Sequence, residues 1–153
     1  MIIDSETAEN EAILTAAKLM ATSARTAPKG RGIDSIKTLI LTEKDKDQLA
    51  DVMEEIGRTR DSKNVRDSSA IVLIGVDFVS PTEKWVNFQC KLLDLGIAVG
   101  SAVKTASDLN VDNRIMRSIG SAAIKMGIMK ADEILGIPLS IKGKNIFFDR
   151  KTS

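Results

Sequence analysis

The residues best placed to do chemistry in this chain lie in two short turns that combine cations with glycine. They are Lys29-Gly30-Arg31-Gly32 and Lys142-Gly143-Lys144-Asn145, with Arg150 close behind the second. Glycine lets the backbone approach a ligand closely, so that N–H groups and the neighbouring ammonium and guanidinium groups can meet on one phosphate. Turns are also basic for solubility alone, and the value of the pair depends on whether the fold brings them to one place. Lys29, Arg31, Lys144 and Arg150 are therefore the candidate cofactor-binding residues. No acid, base or nucleophile stands out beside them.

Other chemistries are excluded by what the chain lacks. It has no histidine, so it cannot supply a Ser-His-Asp triad, a Cys-His pair or a His-ligated zinc site. Ser101-Ala102-Val103-Lys104 matches the Ser-x-x-Lys spacing in which a lysine one helical turn away helps to deprotonate a serine, but the companion Ser-Asp-Asn and Lys-Thr-Gly motifs are missing. A helix-packing serine beside a surface lysine accounts for it. The glycines of Gly136 to Lys144 have the wrong spacing for a P-loop. Cys90, the one cysteine, cannot hold an iron–sulfur cluster, which takes four thiolates. It reads as a small buried apolar residue, with a redox or intersubunit role as the alternative.

Lys and Arg number 22 against 21 Asp and Glu, which leaves no broad field for nucleic acid or an acidic membrane surface. Without tyrosine, and with only Trp85 and four phenylalanines, there is no stacking platform for single strands. The start Met1-Ile2-Ile3-Asp4 lacks the blocks of a secretory signal, so the expected compartment is the cytoplasm.

The elements that must position the two turns follow from apolar spacing. A helix is expected from Glu9 to Ala24, with Ile13, Ala16, Ala17, Met20 and Ala24 on its buried face, and a strand from Ile36 to Leu41. A second helix opens at Thr42, with Asp45 at the capping-box position and Leu49, Val52, Met53 and Ile56 inward. The charged stretch from Arg58 to Asp67 is either a short helix or a surface loop. Ala70 to Val76 is apolar on both faces and suits a central strand. Asp77 to Gln89 reads as a long loop.

The helix expected from Lys91 to Leu109 holds an uncharged run, Leu95 to Val103, too short to cross a bilayer. Being apolar all round, it needs cover on every side, and Gly96 and Gly100 share a face that another helix can approach closely. That neighbour is either in the same chain or across a dimer axis. Further expectations are a helix from Asp112 to Met126, with Asp112 as cap and Ile115, Ile119, Ala122, Ala123 and Met126 inward, and a strand from Glu133 to Leu139. Pro138 puts that strand at an edge, or itself at the strand's end. The whole chain, residues 1–153, makes one domain.

Several blocks resemble an uncharacterised prokaryotic family described as containing a ferredoxin domain: Ala27-Pro28-Lys29-Gly30-Arg31-Gly32-Ile33-Asp34, the run from Asp94-Leu95-Gly96 to Asp112-Asn113-Arg114, Gly136 to Ser140, and Gly143 to Arg150. Members of that family carry several cysteines where this chain keeps only Cys90, so no iron–sulfur cluster bound by one chain is implied. More distantly, the chain is similar to the flavin-dependent nitroreductases. Their helix ending in Ala-Pro-Ser, glycine-containing turn and strand correspond to Ala27 through Ile36, with Lys29, Gly32 and Asp34 replacing that family's serine, asparagine and glutamine. The Arg-x-Ser-x-Arg segment of nitroreductases is absent.

The resemblance implies an α+β fold with a nitroreductase-like mixed β-sheet of three or four strands flanked by helices, and a long buried dimer-forming helix after Asp94. It implies a homodimer with FMN or a nucleotide at the interface as a redox-related protein; the charge balance and the scarcity of aromatics, for their part, lead to the expectation of no nucleic-acid and no membrane partner. The alternative is a non-catalytic interaction or structural subunit that has lost cofactor binding.

Overall fold

The computed structural model describes residues 1–78 and 88–149 of the chain. Helix α1 (Ser5–Thr26) starts where the Asp4 carboxylate accepts the Thr7 N–H, and it buries the five residues its spacing predicts. Strand β1 (Ile36–Thr42) leads into α2 (Glu43–Glu55). Thr42 is the N-cap, but its hydroxyl makes no capping bond, so the anticipated capping box with Asp45 is not formed. The charged stretch beyond Gly57 is a helix, α3 (Thr59–Asp67). The Lys46 ammonium stabilises its last turn by donating to the Val65 and Arg66 carbonyls. Strand β2 (Ala70–Val76) is buried throughout, and α4 (Phe88–Asp108), β3 (Asp112–Asn113), α5 (Arg117–Met126) and β4 (Glu133–Ser140) complete the chain.

The four strands form one sheet in the order β1-β2-β4-β3. Every described pairing is antiparallel, so the sheet is not of the mixed kind anticipated. Alternation along β2 feeds two cores. Ala70, Val72, Ile74 and Val76 face a layer built from α1 and α4, whereas Ile71 and Leu73 face one that includes Leu49, Met53, Ile119 and Phe147. The sheet is thus sandwiched, with α1 and α4 on one face and α2, α3 and α5 on the other.

Three further expectations change. Asp112 does not cap a helix: Asp112 and Asn113 pair with Ser140 and Leu139, Met116 exchanges both backbone bonds with Gly136, and helix geometry begins only at Arg117. Ile115, held in that extended stretch, is exposed. Strand β4 is interior. Pro138 fits there because, by alternation from Gly136, its missing N–H faces the side of β3, where no described strand pairs with it. Cys90 is exposed, since it shares the outward stripe of α4 with Leu93 and Ile97.

Helix α4 is covered only in part, as expected of an apolar helix in so small a chain. Within the chain it buries only one face, through Leu95, Ala98, Val99, Ala102 and Ala106, while Leu93 and Ile97 remain 65% and 46% exposed. A Cβ added at Gly96 or Gly100 would meet nothing within 4 Å, so these glycines serve no close approach inside the chain. Of the long-loop stretch, residues 79–87, including Pro81 and Trp85, lie outside the described residues.

Two other glycines do admit a close approach. A Cβ on Gly120 would lie 1.6 Å from the Ile134 carbonyl oxygen, and one on Gly136 would lie 2.0 Å from Ile119 Cγ2. Helix α5 therefore rests directly on β4, which fixes where its first turn points.

Candidate functional site

The first basic turn is held by the chain's own groups. Lys29 Nζ folds back onto the end of α1, donating to the Ala24 carbonyl at 2.9 Å and to the Arg25 carbonyl, and its side chain is only 5% exposed. Such a cation at a helix C-terminus satisfies carbonyls that have no partner within the helix. Gly30 N–H donates to Asp94 Oδ1 at 2.8 Å, and Lys91 Nζ donates to the Ile33 carbonyl at 3.0 Å, so both ends of the turn are tied to α4. Lys91 and Asp94 form a buried ion pair at 3.6 Å, beyond hydrogen-bond range, which leaves Asp94 Oδ2 as an ionic contact only.

Asp34 completes this anchor. It pairs with Arg25 at 2.6 Å, accepts the Ile36 N–H at 2.9 Å and lies 3.9 Å from Lys29. Burial pushes its carboxyl upward, but hydrogen bonds from Arg25 and Ile36 and attraction to Arg25 and Lys29 outweigh this and hold it below the ordinary value. At the apex Arg31 is exposed, with φ +56°, in the left-handed region that favours glycine.

The second basic turn lies elsewhere. Lys142 Nζ donates to the Asp67 carbonyl at 2.7 Å, just before β2 begins, whereas Arg25 bonds the Ile36 carbonyl opposite the far end of β2. The turns therefore sit at opposite ends of the sheet, separated by a strand length of roughly 20 Å. Lys144, 70% exposed and paired with Asp149, lines a cavity of about 970 Å³ with Arg60, Lys63, Asn64, Ile146 and Phe147. Among the described residues no cavity or contact holds Lys29 or Arg31 together with Lys144. Arg150 lies outside the described residues.

Other sequence candidates fall out as follows. Lys104 turns to Asp108 rather than Ser101, whose carbonyl accepts the Thr105 hydroxyl. Sequence reasoning missed Arg60, Lys91 and Asp94 as participants. The signal available was Lys91 and Asp94, three apart, ahead of a long uncharged run. Among the described residues no three acidic or cysteine side chains gather as a metal site, and no helix is long and apolar enough to cross a membrane.

Comparison with known proteins gives the frame a lineage. Residues 86–150 match the model of a family described as "Uncharacterized protein containing a ferredoxin domain". An uncharacterised protein of Archaeoglobus fulgidus is 38% identical over 180 aligned positions covering 98% of each chain. Those positions outnumber the 153 residues here, so the archaeal protein carries segments that this chain lacks.

Among solved structures, a Desulfovibrio desulfuricans protein described as a candidate nitroreductase, in complex with FMN, superposes with a TM-score of 0.66 at 18% identity, covering 99% of this chain and 82% of that one. The NADPH:FMN oxidoreductase of Vibrio harveyi, complexed with NAD+, superposes with a TM-score of 0.65 at 12% identity over 95% and 63%. The fold is nitroreductase-like.

Proposed function

Because the chain belongs to the uncharacterised family described as containing a ferredoxin domain, and has a nitroreductase-like fold, we propose that it is a redox-related protein binding a flavin-type cofactor or nucleotide between two copies of itself. The observation that carries this reading is the placement of the two basic turns at opposite ends of one sheet. One chain cannot bring them together, and the uncovered Leu93, Gly96, Ile97, Gly100 face of α4 offers a contact to a second copy.

The residues present fit a mononucleotide cofactor such as FMN. The cavity beside Lys144 has the volume of a small-molecule site and is lined by Ile146 and Phe147, by Arg60, and by Lys63, Arg66 and Lys144, each of these three paired with a carboxylate of the same lining, Asp67, Glu54 and Asp149. In this reading Lys144, Arg60 and Arg150 of one protomer and Arg31 of its partner meet the phosphate. Lys29 acts by shaping the turn that presents Arg31. A bound flavin would supply hydride and electron transfer, and the protein's part is binding and orientation. An iron–sulfur cluster does not fit, since one cysteine cannot provide four thiolates.

One observation favours a second reading, a non-catalytic interaction subunit. Lys29, the residue in the nitroreductase serine position, has its ammonium fully engaged inside the chain. Titration of FMN followed by quenching of its fluorescence separates the two. Saturable binding that weakens about tenfold in Lys144→Gln supports the cofactor reading. Colourless protein that leaves FMN fluorescence unchanged supports the interaction subunit.

A further inference from the structure

A second cavity, of about 440 Å³, lies next to the first and has a different character. Three arginines, Arg58, Arg114 and Arg117, line it with Ser118 and Ser121, and Asp61 is the one acidic residue in the lining. Its carboxylate is already engaged by the Ser118 hydroxyl. Arg114 is fixed in place: it donates to the Phe147 carbonyl at 3.1 Å and lies 5.3 Å over the Phe148 ring. Arg117 pairs with Glu133 at 3.2 Å yet is 79% exposed, and the Arg58 side chain has no hydrogen bond or ion pair among the described residues.

Three like charges around one small cavity repel one another; Asp61 and Glu133 offset two of the three, and the remaining positive charge favours an anion between them. Guanidinium forks match carboxylate and phosphate oxygens in pairs, and the volume suits a compact molecule. Adjacency is given by shared walls. Arg58 and Asp61 line this cavity while Thr59 and Arg60, between them in sequence, line the cavity of Lys144, and Arg114 bonds the Phe147 that lines it.

We infer that the Arg58, Arg114 and Arg117 cavity binds a compact polyanion, carrying carboxylate or phosphate groups, as a second ligand beside the cofactor. That this ligand is the substrate rests on the cofactor reading above. That it binds at all does not.

The test is equilibrium binding of citrate and of pyrophosphate at fixed ionic strength, with folding checked by circular dichroism. Wild-type protein should bind at least one of them saturably. Arg58→Gln and Arg117→Gln should each weaken that binding about tenfold, while the distant surface change Lys18→Gln leaves it unaltered. Binding of citrate alone identifies carboxylate chemistry, of pyrophosphate alone phosphate chemistry, and of both a general polyanion site. No saturable binding, or equal weakening in Lys18→Gln, overturns the inference. FMN titration of the same proteins keeps the two claims apart. Polyanion binding that depends on Arg58 in a protein that ignores FMN sinks the cofactor reading and leaves this site standing.

Discussion

The two basic turns have nearly the same composition and each gives one lysine to a helix-end carbonyl, Lys29 at α1 and Lys142 at α3, but they differ in what remains at the surface. In the first, Lys29 is buried against the end of α1, Gly30 is tied to Asp94, Ile33 to Lys91 and Asp34 to Arg25, with Arg31 exposed at the apex. In the second, Lys144 stays at the surface beside a wide cavity, and Phe147 rather than a cation is the buried anchor. The difference teaches that a turn's charge becomes available to a ligand only after the nearby helix ends have taken what they need. A lysine within reach of unpaired helix carbonyls stabilises the fold first.

This contrast can be broken at its strongest point, the buried Lys91–Asp94 pair. Asp94→Ala leaves the Lys91 ammonium without a counter-charge and should cost about 3–5 kcal/mol in urea unfolding. Replacing both residues, with Lys91→Met and Asp94→Leu, should recover a large part of that loss. If Asp94→Ala unfolds at the wild-type urea concentration, the first turn is not anchored as described.

A smaller effect separates the two lysines. Lys29→Ala removes hydrogen bonds to two carbonyls and should destabilise by about 1–3 kcal/mol, whereas Lys144→Ala, at an exposed site, should stay within about 0.5 kcal/mol of wild type. Equal effects in thermal melts would erase the distinction between a structural and an available cation.

The smallest expected effect sharpens the comparison through pH. Asp34 is held below its ordinary value near 3.8, so it binds a proton more weakly in the folded than in the unfolded chain. The stability it contributes is therefore present above that value and is lost as pH falls through the lowered one. Urea midpoints measured from pH 6 down to about 3 should fall more steeply for wild type than for Asp34→Asn. Parallel curves would show that the turn does not depend on this carboxylate.

Much of the frame could be read from sequence, and the failures share a cause. The run Ala70 to Val76 announced a strand buried on both faces, and the spacing in α1 named its inward residues correctly, because both patterns are local. Asp112 misled because aspartate favours helix caps and is uncommon in strands, and only the Ser140 backbone beside it draws it into a two-residue, half-buried edge strand. Cys90 misled because its burial depends on which way α4 turns its stripe. Of the candidate site, the two turns were legible but their separation was not. It depends on the β2–β4 register, which no short stretch of sequence contains. The arginines of the second cavity come from two stretches far apart in sequence, Arg58 from one and Arg114 and Arg117 from the other, and become a group only in the fold.

The central claim is that a complete cofactor site draws Arg31 from one protomer and Lys144 from its partner, and mixing two defective proteins tests it directly. Arg31→Gln and Lys144→Gln should each bind FMN weakly alone. After unfolding and refolding together, the mixture should regain tight binding at about a quarter of its sites, because half of the dimers are then heterodimers with one intact site of two. A mixture that binds no better than its separate components would contradict a site shared between chains.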